Sequence, residues 1–302
     1  PPRAPELAGM RDDIYSGINN KEIPTIYPPL MQLTFRAITA VSEALTWMKA
    51  CFVAADIVLI GLLMSLLHAK GQPPARALVY AWSPLVIVET AGSGHNDVLG
   101  LACLVAAQVA IILGREHLST ALLTLSGLAK LMGFILSPLF LRWTRWTAWL
   151  VIPVTGTLLC WPFMGAGMEG FRGLFAFGLR WRGNDSLFHL LYLATGSLDI
   201  AKALAAGVFG GLVAFLVYRK EPPLYACYIA TGALLVLGTT VHPWYVLWII
   251  PYLCFYPHPA WILLTGTVVL SYHAPFLTPA GEPWREETTM KVLEYAPFYL
   301  LL

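Results

Sequence analysis

Residues 47–67 read WMKACFVAADIVLIGLLMSLL, a mainly apolar run of about the 20 residues that a membrane-spanning helix needs. Comparable runs recur at 77–93, 97–114, 145–163, 199–218, 222–241, 244–256 and 259–273. Composition points the same way. Hydrophobic residues make up 58% of the 302 and charged residues only 12%, against roughly 25% charged in a soluble protein. Mean hydropathy is +0.67. The chain therefore reads as an all-α, polytopic transmembrane bundle of about eight to ten transmembrane or half-membrane segments, and a soluble globular domain is excluded. The net charge of +2, spread thinly between apolar runs, gives no footing for nucleic acid. Cys51, Cys103, Cys160, Cys227 and Cys254 all sit in apolar stretches without CxxC or Cys/His spacing, so they read as small buried hydrophobes.

Residues 1–28 are polar and Pro-rich and carry no signal peptide. They read as the remnant of an external loop, with the true N-terminus and a first membrane helix expected upstream. Residues 29–302 would form the bundle, with an external loop at about 164–198. The apolar segment 29–45 is interrupted by Arg36 and Glu43, which suits a surface or short buried helix. Compact basic connections at His68–Lys70 with Arg76, at Arg142 with Arg145, and at Arg219-Lys220 fall on the cytoplasmic side by the positive-inside rule. Arg115 and Arg142 then both lie in the cytoplasm with one apolar segment between them. A re-entrant hairpin with Lys130 near its tip resolves the conflict, and Gly127, Gly133 and Pro138 suit the irregular backbone it needs. With that hairpin, the N-terminal stretch and the segments at 92–97, 164–197, 241–245 and 278–289 share the external face. They hold most of the unusual polar residues, so one external site is expected.

Each polar motif has a bland reading beside a functional one. Asp97 in Ser93-Gly94-His95-Asn96-Asp97 suits a helix cap, whereas His95 and Glu89 are ionisable groups at membrane depth, where function is the default hypothesis. His95-x-Asp97 is also half of a metal site, without a third ligand nearby. Lys130 lies too deep to snorkel; it either pairs with Glu89 or presents a cation to an anionic substrate. Lys130→Met is expected to abolish activity without unfolding the chain. Arg180 and Arg182 flank Trp181 and precede Asn184 and Asp185, an arrangement for gripping a phosphate or for meeting lipid headgroups. In Val241-His242-Pro243-Trp244-Tyr245 the aromatics suit an interfacial belt, which has no need of His242.

Taken together, Ile18-Asn19-Asn20, Pro24-Thr25-Ile26-Tyr27-Pro28-Pro29, Ser93–Asp97, Lys130 with Pro138, Trp181–Asp185 and His242–Tyr245 resemble the GT-C superfamily of membrane glycosyltransferases. The likeness is to bacterial mannosyltransferases that use polyprenyl-phosphate sugars. It implies an active site on the external face of a multi-pass plasma-membrane protein. The donor would be a polyprenyl-phosphate-linked sugar, most naturally mannose, and the acceptor a glycan or glycolipid in cell-envelope glycan biosynthesis. Direct attack would invert the anomeric configuration, with no metal or other cofactor required. The family's catalytic carboxylate lies in the first external loop and is expected upstream of residue 1, with Asp12 and Asp13 as substitutes. Lys130, His242, Arg180 and Arg182 would hold the donor phosphate. Tyr27, Glu89, His95, Asn96, Asp97, Trp181, Asn184, Asp185, Trp244 and Tyr245 would bind sugar or acceptor. A transporter or flippase of a lipid-linked or anionic substrate is the alternative, although the internal repeats common in transporters are not seen.

Overall fold

The computed structural model describes residues 2–18, 20–278 and 285–302. Asn19 of the first landmark and residues 279–284 of the expected external segment lie outside them. Among the described residues eleven α-helices have nine residues or more: α1 Pro29–Thr39, α2 Leu45–Ala69, α3 Asp97–Ile112, α4 Glu116–Ala129, α5 Val151–Cys160, α6 Arg172–Arg180, α7 Leu187–Thr195, α8 Leu198–Tyr218, α9 Pro223–Leu237, α10 Pro259–Thr267 and α11 Thr288–Leu301. Proline stands at the first helical position of α1, α9 and α10, where its missing N–H and fixed φ cost nothing.

Three helical runs are long and apolar enough to cross a membrane: Leu45–Ala69, Trp146–Arg180 and Leu198–Tyr218. The second joins several helical pieces and bends at Gly167, where φ is 50°. The expected span at 77–93 is broken into short turns, Leu78–Ala81, Pro84–Val86 and a π-helical turn Ile87–Gly92. Much of the stretch 164–198, expected as a loop, is helical, because α6 and α7 lie within it. Apolar faces explain why these pieces hold together. Leu59, Leu63, Leu66 and Leu67 of α2 are fully buried in the main core, where α2 packs on α3.

Helices α3 and α4 pack closely along their length, and small residues line the contact. Ser126 Oγ donates to Gly100 O at 2.8 Å and Ser119 Oγ to Ala107 O at 2.9 Å. Such small-residue contacts let helix backbones approach where lipid offers no hydrophobic drive. After Ala129 the chain leaves the helix through Lys130, which is extended at φ −153° and ψ 113°. It then turns back along α4 through Met132–Leu136. The two ends of the 115–145 segment meet, since Arg145 N donates to Glu116 Oε2 at 2.6 Å and Thr120 Oγ1 to Ala148 O at 2.7 Å. The hairpin inferred from the charge pattern is thus present, with Lys130 at its tip.

Two glycines permit the reversal. A Cβ on Gly133 would run into Leu123 O and lie 2.5 Å from Gly127 N, and one on Gly127 would press into the Phe134 ring at 2.6 Å. Gly133→Ala should therefore cost about 1–3 kcal/mol or more by overpacking. Gly156→Ala, where a Cβ meets open space, should be neutral or slightly stabilising. Thermal unfolding of both variants in detergent checks this, and equal melting temperatures would refute the packing.

Candidate functional site

The polar motifs fold into two neighbouring clusters. In the first, Lys130 Nζ reaches Asp97 Oδ2 at 3.0 Å and Asn96 Oδ1 at 3.4 Å. Trp248 Nε1 donates to Asp97 Oδ1 at 2.7 Å. The ammonium also lies over the rings of Tyr27, at 5.3 Å, and Tyr245, at 5.9 Å. Two expectations are corrected here. Asp97 is the first residue of α3 and does not cap it, because its carboxylate is spent on Lys130 and Trp248. Lys130 pairs with Asp97 rather than Glu89.

Glu89 instead sits fully buried on the π-helical turn. Its Oε1 accepts from Tyr272 Oη at 2.7 Å and its Oε2 lies 3.3 Å from His95 Nε2. Trp244 is sandwiched between two imidazoles. His95 stacks on it at 4.1 Å and His242 at 4.3 Å, both with rings inclined by 19°. Burial holds His95 and His242 each down to about 4. Both rings are therefore neutral near pH 7, so His242 brings no positive charge to the cavity.

The second cluster gathers around the loop 181–186. Asn184 takes a left-handed φ of 50°, a conformation that asparagine tolerates better than most residues. This twist zips the loop to the turn before His242: Gly183 N donates to Thr239 O and Val241 N to Gly183 O, both at 3.0 Å. Asn184 Nδ2 donates to Val241 O at 3.0 Å and Glu294 Oε1 at 2.7 Å, and its backbone N donates to Glu286 Oε1. Asp185, 1% exposed, receives Arg182 Nε and Lys291 Nζ, each at 2.6 Å. Lys291 also meets Glu286 at 2.6 Å, and Arg182 continues to His189 Nδ1 at 2.5 Å and over the Tyr192 ring at 4.2 Å. The Asp185 carboxylate and the Arg182 guanidinium thus already hold partners, as does the side-chain amide of Asn184.

A cavity of about 1470 Å³ joins the clusters. Arg180, Trp181, Arg182, Asn184, Asp185, His242 and Trp244 line it, together with Glu22, Tyr272, Glu286 and Lys291. Among the described residues Arg180 is the cavity cation that no acidic side chain neutralises. Asn20 and Glu22 reach the wall because the chain behind them lies flat on α6. A Cβ at Gly173 would strike Pro24 O and come within 2.7 Å of Thr25 O. Asp12 and Asp13 do not join this site. Asp12 Oδ1 caps the turn Asp13–Gly17 by accepting from Tyr15 N at 3.0 Å, both carboxylates are exposed, and neither lines the cavity. Lys130, Asn96, Asp97 and Tyr27 lie behind the wall rather than on it. Among the described residues no three His, Cys, Asp or Glu side chains converge as metal ligands.

Sequence reasoning missed Tyr272, Glu286, Lys291 and Glu294. The last two carried a usable signal: they stand three residues apart in a largely apolar C-terminal stretch, which puts them on one helix face.

The comparisons with family models make this helical chain a membrane glycosyltransferase. Residues 20–146 match the family model described as alpha-(1->6)-mannopyranosyltransferase, N-terminal domain, and residues 183–300 match the MptB C-terminal domain. The chain belongs to this mannosyltransferase family. No curated protein and no solved structure matches it. The cavity is lined almost wholly by residues within the two matched parts, with Asn20 and Glu22 from the first and the 183–299 wall from the second.

The buried pair makes a stability prediction that revises the simple expectation for Lys130. Asp97 is 0% exposed and the Lys130 side chain 16%. Removing one partner of such a pair costs about 3–5 kcal/mol. Lys130→Met should therefore unfold at clearly lower temperature or denaturant, and Lys130→Met/Asp97→Asn should recover much of the loss. Equal stability of Lys130→Met and the parent chain would mean that the pair is not buried in the folded protein.

Proposed function

We propose that the full-length protein moves mannose from a polyprenyl-phosphate carrier to a hydroxyl of a glycan or glycolipid at the external face of a multi-pass membrane bundle, with inversion. The observation that carries this reading is the position of Arg180. It ends the long apolar run Trp146–Arg180 and stands on the cavity wall without an acidic partner. Leu158, Met168 and Leu179 along that run are exposed, an apolar surface suited to lipid. A substrate with its tail in lipid and its phosphate at Arg180 would bring its sugar into the cavity. Trp181 there offers an aromatic surface to a sugar ring or a prenyl unit. Ligand pockets commonly span about 300–1,000 Å³, so this larger cavity has room for donor headgroup and acceptor together.

The chemistry follows from charge. As the acceptor oxygen approaches the anomeric carbon, the bond to phosphate loosens through an oxocarbenium-like state. Negative charge grows on the departing phosphate, and a fixed cation beside it lowers the barrier. Arg180 takes that role in place of Lys130, whose charge is already matched by Asp97. The transporter alternative gains nothing from the family match.

The test is transfer of radiolabelled mannose from polyprenyl-phosphate-mannose in membranes that contain the full-length protein. A charge-assisted hydrogen bond is worth about 1.5–3 kcal/mol, so Arg180→Ala should lower kcat/KM for the donor by about 10- to 100-fold. An unchanged value would remove Arg180 from the phosphate site. No transfer to any of several acceptors, from correctly inserted protein, would refute the polyprenyl-phosphate donor.

A further inference from the structure

Helix α6 carries Arg180 to the cavity wall, yet little packing holds that helix. Among its residues only Gly173 is buried, seated at the far end against Pro24 and Thr25. Gly178, Leu179 and Arg180 are all exposed. Beyond the helix the chain is next pinned at Gly183, to Thr239 and Val241. Arg180 thus lies between an anchored loop and a helix end that buries no side chain.

Lys202 of α8 supplies an anchor at that end. Its ammonium donates to Gly178 O at 2.9 Å and to Leu179 O at 2.8 Å. Both belong to the last turn of α6, whose final carbonyls have no partner within the helix. A cation there also suits the negative end of the helix dipole. Lys202 itself does not line the cavity. The contact spans more than twenty residues of sequence and ties α6 to the long apolar helix α8.

Resting on the mannosyl-transfer reading and on Arg180 as its phosphate-binding cation, we infer that Lys202 is a positioning residue for the lipid-phosphate donor. It fixes the end of α6 so that Arg180 is in place before the phosphate arrives. A cation held beforehand costs no reorganisation at the moment of reaction. One carried on a loose helix end would have to be ordered by the donor, at the expense of affinity. Lys202 touches no substrate in this account; its effect passes through the backbone of residues 178 and 179 to Arg180.

The experiment is a double-mutant cycle on mannosyl transfer by the full-length protein in membranes: parent, Lys202→Met, Arg180→Ala and the pair. Lys202→Arg serves as the rescue, and thermal unfolding is measured alongside. Displacing a site group by a small distance can cost up to about 100-fold, and Lys202→Met should lower kcat/KM for the donor by about 10-fold. The KM for the acceptor should stay at the parent value. In the Arg180→Ala background the same change should cost nothing further, since residues that act through one another are not additive. Lys202→Arg, which can still donate to both carbonyls, should keep most of the parent value. A merely structural role would lower the unfolding temperature without this coupling. Additive losses, or an unchanged kcat/KM in Lys202→Met, would overturn the inference and leave the functional reading intact. If Lys202→Met does not accumulate in membranes, Lys202→Gln, a donor without charge, should show a smaller loss that again disappears with Arg180→Ala; a loss that persists there would overturn the inference. A parent protein that transfers no mannose would instead bring down the functional reading, and this inference with it.

Discussion

An ammonium and a carboxylate placed inside an apolar bundle have to find each other, because either one alone would cost several kcal/mol. The Lys130–Asp97 pair meets that constraint, and much of the surrounding structure is arranged to let it. Helix α4 ends one residue before Lys130, and the chain reverses there through two positions that admit only glycine. Gly100 and Ser126 draw α3 and α4 close enough for the pair to form. Asp97 is thereby fixed at the head of α3, and so is the loop before it.

From that loop the order passes to the cavity by contact. His95 stacks on Trp244, Trp244 on His242, and the turn before His242 is zipped to Gly183 and Asn184. Asn184 binds Glu294 of α11, and Asp185 binds Lys291 of the same helix. Residues separated by two hundred positions thus act as one wall. The electrostatic result is selective. Lys130, Arg182 and Lys291 are each matched by carboxylates, so the cavity keeps a single unmatched cation among its described lining, Arg180. An unmatched cation beside an apolar surface suits a lipid-borne anion.

Much of this was legible from the chain. Apolar periods of membrane length, set against 12% charged residues, were enough for the helical bundle, and the bias of basic residues exposed the hairpin. The motifs at 93–97, 181–185 and 241–245 do converge. What the sequence could not give was pairing. Glu89 was the expected partner of Lys130, and only the packing of α3 on α4 selects Asp97 instead. Arg182 looked as available as Arg180 until Asp185, three residues later, folded onto it. Spans expected to be continuous are broken at 82–83 and 247–249 because proline and tertiary contacts override hydropathy. Glu286, Lys291 and Glu294 were missed because their partners lie about a hundred residues upstream, beyond any local pattern. Asp12 looked like a spare acid but is a helix cap.

The most direct measurement is photo-crosslinking of the full-length protein in membranes with a photoreactive polyprenyl-phosphate-mannose, followed by mapping of the labelled peptides. Label on the 180–193 and 271–299 stretches, competed by unmodified donor and lost in Arg180→Ala, is the predicted result. Label confined to the opposite end of the hairpin, around Arg115, His117 and Arg145, where a smaller cavity of about 310 Å³ lies, would contradict the placement of the donor and with it the site described.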